Sequence, residues 1–438
     1  MEQKSLTLII VMLVIGLGIG GGIGYMAAPT KETVKEVTVT VTKNPLKDVT
    51  LKIGDIVAST SGLETEKPLI DQIMMKDLND YLSDLGFGMK VQILLDDAQS
   101  QPSIHLEKVQ SFKSQGITQI LGGRWSSQAQ GSISYMNENN MILVSSSSTS
   151  PLLKQVDNLF RLCPTDLVQA PANAEMMKTW GVKGVIIFMR IDPWGEGLFQ
   201  VIVPALEERG IELIDTIKYA PETTDFSSYL QKMEDDAKAA IAKYGDKKYV
   251  AIQIFSFEEQ ITYLTAAESY PTIKDIIWFS TESGGRDQRY INEIGEPLVA
   301  KRLFSSYMGV AESSWKFISL DQRFLKATNQ TAGFYTGTTY DSLWLMVLAS
   351  LEAGSVDAKD VIPIFINVAG NYFGATGWTD LDEFGDRKAQ VFDIWGYYKE
   401  ADGTIKFRKY GEYDGRVIKV KWDDGALAAV GLTRPALG

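Results

Sequence analysis

Short β-rich runs alternate with longer stretches of helical periodicity through most of this chain, and that alternation limits the folds open to it. Residues 51–58 form a β-rich run, and residues 68–85 carry Leu69, Ile73, Leu78, Leu82 and Leu85 at helical spacing before Gly86. Strands are expected at 89–95, 117–121 and 141–144, with helices at 104–112 and 126–138 between and around them. The pattern resumes after residue 170, with helices expected at 170–180, 196–209, 227–243 and 258–269. Strands are expected between them at 184–189, 212–219, 249–254 and 275–279. Strands at this spacing form parallel sheets covered on both faces by helices. Two such runs imply an α/β protein with two Rossmann-like lobes. Ligands of open parallel sheets bind beyond the carboxyl ends of the strands, and small-molecule sites favour interfaces between domains. The pattern alone leaves a two-lobed ligand binder or an enzyme.

Charge and composition remove several function classes. The formal net charge of -12 repels phosphate backbones, so nucleic acid is not an expected partner. Cys163 is the single cysteine and His105 the single histidine, so there is no intrachain disulfide and no basis for a Cys/His zinc site. A Ser-His-Asp triad would have to use His105, which the periodicity puts in an amphipathic helix as a partly exposed residue. No GxSxG, P-loop or HExxH motif is present. No enzyme activity and no cofactor are expected.

The N-terminal part reads differently. Residues 6–28 are apolar and glycine-rich without a charge, long enough to cross a bilayer as a helix. Tyr25-Met26-Ala27-Ala28 also offers a small-residue cleavage site, so residues 1–28 are either a transmembrane anchor or a cleaved signal. Length favours the anchor. Gly16, Gly18 and Gly21 spell GxGxxG inside this apolar span, with no preceding strand, so no dinucleotide site is read there. Residues 29–50 are polar and rich in Thr and Val, and are expected to be a stalk linker. The expected location is the extracellular face of the cell membrane, anchored there or secreted if the segment is cleaved.

Ordered landmarks then carry a family resemblance. They are Ile56 to Gly62 (IVASTSG), Leu94 to Ala98 (LLDDA) with Pro102, Leu121 to Ser127 (LGGRWSS), Ser145 to Pro151 (SSSSTSP) and Phe160-Arg161. Trp194 to Gly197 (WGEG), Thr224 to Ser227 (TDFS), Thr376-Gly377 and Asp382 to Asp386 (DEFGD) follow in order. Together they resemble the type I periplasmic binding proteins of the branched-chain amino acid (leucine/isoleucine/valine) family. The resemblance covers nearly all of residues 51–420. It implies lobe 1 from 51–168 plus 306–373 and lobe 2 from 169–305 plus 374–438. A three-segment hinge is expected near 160–170, 300–308 and 371–380.

Candidate site residues follow from both sources. Ser126 and Ser127 come after a strand and open a helix, where unpaired N–H groups and the helix dipole favour an anion. A serine N-cap is the plainer reading of the same spot. The resemblance implies that Ser126 binds an α-carboxylate, that Thr149 binds carboxylate and ammonium, and that the Ser147 carbonyl accepts the ammonium. It implies that Glu282, just after a strand of lobe 2, pairs with the ammonium, and that Trp194 closes over the ligand. Ser256 and Phe257 resemble an aromatic wall position. Arg124 and Trp125 occupy the lobe 1 loop, where Arg124 is either a partner for an additional polar group of the ligand or a surface arginine. Ser61 and Gly62 rank below these. Tyr340 and Asp341 are assigned to structure, Asp380, Asp382 and Gly385 to a β-turn, and Asn329-Gln330-Thr331 is a glycosylation sequon.

The function implied by the resemblance is capture of an amino acid or similar small polar solute by hinge closure. Delivery would be to the permease and ATPase subunits of an ABC importer. A ligand-sensing receptor domain on the same fold and a binder of amides or urea-like compounds are the alternatives.

Overall fold

In this computed structural model, residues 44–310 and 312–434 are described. The expected membrane segment over 6–28 and most of the stalk lie outside the described residues. Within them, no helix is long and apolar enough to cross a membrane.

The first sheet is wholly parallel. Its strands are β1 (Thr50–Val57), β2 (Lys90–Asp97), β3 (Gln119–Leu121), β4 (Ile142–Ser145) and β5 (Leu159–Arg161), in the order β2-β1-β3-β4-β5. The second sheet contains β6 (Gly184–Arg190), β7 (Glu212–Tyr219), β8 (Val250–Phe255), β9 (Ile277–Ser280) and β10 (Phe304–Met308). These five are parallel to one another. After a two-strand ladder of β11 (Phe373–Gly374) and β12 (Gly377–Trp378), the chain adds β13 (Val391–Lys399), β14 (Ile405–Asp414) and β15 (Lys419–Trp422) to the second sheet. β13 runs antiparallel to β10 and continues as an antiparallel meander, giving the order β15-β14-β13-β10-β9-β8-β6-β7. The alternating pattern gave no sign of these last three strands.

Fully buried strands are what parallel sheets require. β6 is buried at every position and β8 likewise, as their uninterrupted runs GVIIFMR and VAIQIF demand. Helices Ser126–Glu138, Ser227–Tyr244 and Asp166–Trp180 cover the sheets. One core joins Leu51, Ile53, Ile142 and Val144 with Leu320, Leu343, Ala375 and Leu381. Another joins Val185, Ile187, Ala251 and Phe279 with Ile394 and Tyr410.

Those cores shift several expected boundaries. Residues 44–49 belong to the first lobe and not to a stalk, because Leu46 is buried in its core and Asn44 donates to the Phe87 carbonyl at 2.8 Å. The second crossing follows β10, after Met308. The third lies beyond Asp386 and not at 371–380, because Ala375 and Leu381 still pack in the first core. The helix read from residue 68 starts at Leu63, so Pro68 lies inside it, and a π-helical turn at Ile70–Met74 follows. Such turns concentrate at functional sites.

His105 is fully buried, contrary to expectation. Its Nε2 accepts the Gly123 N–H at 2.7 Å, which leaves Nδ1 to donate to Ser132 Oγ at 2.7 Å. Burial, reinforced by Arg124, lowers its pKa to about 3, so the ring is neutral. It fixes the loop after β3, where Gly123 takes a φ of +56° that suits glycine.

Arg161 and Asp386 tie the first crossing to the third. Arg161 Nε and Nη2 donate to the two Asp386 oxygens at 2.6 and 2.8 Å, and Nη1 donates to the Ser150 carbonyl at 2.7 Å. Arg161 is wholly buried, so removing its partner strands a charge. Asp386→Ala is expected to lower unfolding free energy by about 3–5 kcal/mol, read from chemical denaturation. A loss under about 1 kcal/mol would mean the pair is not structural.

Candidate ligand-binding site

Parallel strands deliver their C-terminal loops to one edge of each sheet. A cavity of about 250 Å³ lies among the loops following β1, β3 and β4 of the first lobe and β6, β8 and β9 of the second. Arg124, Trp125, Ser126, Ser147 and Thr149 line it from the first lobe, and Trp194, Phe257 and Glu282 from the second. Ser127 and Ser256 do not line it. Ser127 is the next residue along the helix and is turned away from Ser126 by the 3.6-residue period. Ser256 Oγ is engaged inside the second lobe by the Tyr219 and Tyr263 hydroxyls, each at 2.6 Å.

The helix Ser126–Glu138 begins with Trp125 as its N-cap, so Ser126 is the first helical residue and not the cap. Among the described residues, neither the Ser126 nor the Ser127 backbone N–H has a hydrogen-bond partner, as expected of a first turn. Ser126 Oγ accepts the Ser150 N–H at 3.2 Å. The Ser145–Ser150 loop is held by its own hydroxyls: Ser145 Oγ accepts the Ser148 N–H at 3.1 Å, and Ser147 Oγ donates to the Arg124 carbonyl at 2.8 Å. Thr149 Oγ1 donates to Asp166 Oδ2 at 3.0 Å.

Glu282 opens a single 3-10 turn, Glu282–Gly284, directly after β9. A Cβ at Gly284 would run into Ser280 Oγ, so the ESGG sequence lets this turn fold back on its strand. Glu282 is buried, and its Oε2 has no hydrogen-bond partner among the described residues. Burial raises its pKa above the ordinary value. Asp166 is buried too, with Oδ1 unpartnered. Burial first and Glu282 second push Asp166 well above the carboxylate range. Glu282 on the cavity wall and Asp166, bonded to the lining Thr149, form no ion pair among the described residues.

Arg124 behaves otherwise. It is neither a surface arginine nor free for a ligand. Nε donates to the Ile56 carbonyl at 3.3 Å, Nη1 to Ser146 Oγ at 3.1 Å and Thr339 Oγ1 at 2.8 Å. Nη2 donates to Asp55 Oδ1 at 2.7 Å and Glu66 Oε1 at 2.6 Å. A guanidinium has five N–H donors, and these bonds use them all.

The two lobes meet through rings. Phe257 stacks on Trp125 with centroids 4.8 Å apart and planes at 24°, and on Trp194 at 4.5 Å and 17°. The Arg190 guanidinium lies 4.2 Å from the Phe257 centroid, held by Asp192 and Glu259 at 2.8 Å each. Ser61 Oγ donates to Glu258 Oε1 at 2.8 Å across the same cleft.

Glu66, Asp166 and Tyr335 were not anticipated. Glu66 and Asp166 lie in first helical turns that the periodicity placed too late, at 68 and 170 in place of Leu63 and Asp166. Thr165, a preferred N-cap residue type, was the available signal for the second.

Comparison with known proteins adds the following. The sequence model of a family described as "Receptor family ligand binding region" matches residues 73–400. An uncharacterized protein of Methanocaldococcus jannaschii is 25% identical over 406 residues, covering 87% of this chain and 94% of that one. The leucine binding protein LivK of Thermotoga maritima superposes with a TM-score of 0.66 at 18% identity, covering 82% of this chain and 97% of its own. A Brucella ovis protein named for binding leucine, isoleucine, valine, threonine and alanine gives 0.66 at 16%, covering 88% and 99%. A solute binding protein of Rhodopseudomonas palustris in complex with 3,4-dihydroxybenzoic acid gives 0.67 at 18%, covering 84% and 98%. At these identities the likeness to the solved structures shows the type I periplasmic-binding fold.

The raised carboxylates set a pH dependence. A carboxyl whose folded pKa exceeds its unfolded value holds its proton in the fold, so its contribution is full below the unfolded pKa and lost as pH rises through the folded one. For Asp166 the loss starts above its ordinary value of 3.8. Asp166→Asn keeps an acceptor for Thr149 and cannot ionise. Its melting temperature relative to the parent is expected to climb as pH is raised from 4 to 8 in thermal melts. A difference that falls or stays flat would contradict the shift.

Proposed function

Because the chain belongs to the family described as the receptor family ligand binding region, we propose that it is an extracytoplasmic solute-binding protein that captures an amino acid between its lobes. One observation carries this reading: the buried Glu282 carboxylate lacks a partner on one oxygen and lines the cavity that Ser126, Ser147 and Thr149 also line. An unpaired buried carboxylate is costly, and an ammonium removes that cost through a charge-assisted bond. The Ser147 carbonyl, which receives no hydrogen bond among the described residues, supplies a second acceptor for the same group. The unpaired N–H group of Ser126 supplies a donor for a carboxylate at a helix N-terminus. Acceptors and donors in one cavity suit a zwitterion.

Each lobe contributes part of this set, so a solute touches all of it only when the lobes are together. That differential contact is what favours closure. Trp194 and Phe257 then shield the head group from water, which strengthens its polar bonds. The site binds without transforming: nothing in this reading calls for a nucleophile or a base. In this reading residues 6–28 hold the protein to the outer face of a membrane, and the closed form delivers its solute to an ABC permease and its ATPase subunits. The expected ligand roles of Ser126, Ser147, Thr149, Trp194, Phe257 and Glu282 are kept in the proposal. Those of Ser127 and Ser256 are not, and Arg124 becomes a wall.

A thermal-shift screen of α-amino acids on the purified chain tests the reading, since a ligand of the folded state raises the melting temperature by mass action. For the best solute, Glu282→Gln is expected to weaken binding by about ten- to a hundredfold, the worth of a hydrogen bond to a charged group. Thr149→Ala is expected to weaken it by about fivefold, through the lost neutral hydroxyl bond. Unchanged affinity in both variants, measured calorimetrically, would sink the assignment.

A further inference from the structure

Part of the cavity wall is an ion pair, Arg124 with Glu66, where an aliphatic side chain would need only apolar walls. Glu66 lines the cavity and is buried. It spends Oε1 on Arg124, while Oε2 makes no hydrogen bond among the described residues. Arg124 has no donor left for a solute, because all five N–H groups are used within its own lobe. Besides Glu282, the cavity therefore presents a second carboxylate acceptor, and its lining arginine has no free donor.

Two arguments turn this into a ligand class. A buried Arg–Glu pair is no more stabilising than well-packed apolar residues of similar volume, so fold stability does not call for it here. Charge balance then points to what does. Glu66 and Glu282 are the acids lining the cavity, and its one lining cation among the described residues, Arg124, is shared between Glu66 and the fully buried Asp55. A bound zwitterion gives its ammonium to Glu282 and its carboxylate to the helix N-terminus, so Glu66 is left with only a share of that guanidinium. The side chain that completes the compensation of Glu66 carries a positive charge, and the rings of Trp125 and Phe257 in the same cavity favour a cation on an alkyl stem.

We propose that Glu66 is a specificity-determining residue and that the preferred solutes are basic amino acids, with an ammonium or guanidinium at the side-chain end. The inference rests on the placement of the α-ammonium at Glu282 given above. Calorimetry on the purified full chain tests it with L-lysine, L-arginine and their uncharged counterpart L-norleucine. Lysine or arginine is expected to bind at least about tenfold more tightly than norleucine. Glu66→Gln, which keeps an acceptor for Arg124, is expected to abolish that preference, bringing the affinities for lysine and norleucine within about threefold of each other. Norleucine binding as tightly as lysine and arginine in the parent protein would overturn the inference and leave the amino-acid reading intact. So would a preference that survives Glu66→Gln. If that variant does not fold, the parent ratio of lysine to norleucine decides alone. Binding of none of the three, nor of any other α-amino acid, at millimolar concentration would overturn both readings.

Discussion

All strands of a parallel sheet end on the same edge, and that constraint organises this molecule. β1, β3 and β4 release their loops at one edge of the first sheet, and β6, β8 and β9 at one edge of the second. The chain crosses between lobes three times, so the two edges are held opposite each other. Every residue lining the cavity owes its position to a strand end or to a helix that follows one, Tyr335, Thr336 and Thr339 of the helix Phe334–Ala353 excepted. The interior of each sheet contributes rigidity and no chemistry.

Within that frame, buried charges divide into satisfied and unsatisfied. Arg161 is closed off by Asp386 and two carbonyls, and Arg124 by Asp55, Glu66, two hydroxyls and a carbonyl. Arg387 also points inward, donating to the Leu162 and Trp378 carbonyls at 2.9 and 2.8 Å. These guanidiniums stitch the first lobe and the crossings together. Glu282, Asp166 and Asp55 each keep a buried oxygen without a hydrogen-bond partner among the described residues, and of the three Glu282 lines the cavity. Native interiors rarely leave such atoms bare without a functional reason. An open carboxylate marks the site where the cavity also reaches it, which holds for Glu282.

Much of the fold was legible because parallel sheets write a strong signal. The strand at 212–219 and the helix at 126–138 have the bounds that periodicity gave them. Helix beginnings were harder. Pro68 invites placement at a helix start, yet the helix begins at Leu63 and accommodates the proline inside. That error hid Glu66, and a late start for the next lobe hid Asp166. The antiparallel meander β13-β14-β15 was missed because its pairing is between strands, with β13 set against β10 some eighty residues earlier in the chain. His105 shows the same limit: a helical position tells how a side chain is spaced and not what lies across from it. Its partners, Ser132 and the Gly123 N–H, come from a neighbouring helix and loop.

The amino-acid sequence by itself determined the alternation of elements, the two-lobed α/β architecture and the loops where polar residues gather, because periodicity and turn chemistry are local properties. Only the tertiary structure decided which of those polar residues share a cavity and which are consumed by the fold. Ser126 and Ser127 are adjacent in the chain, and one lines the cleft while the other does not. Arg124 has the chemistry of a ligand partner, but its donors are spent on Asp55, Glu66 and hydroxyls brought from distant segments. Hydrogen-bond capacity is finite, and how it is distributed depends on which groups the completed fold brings within about 3 Å.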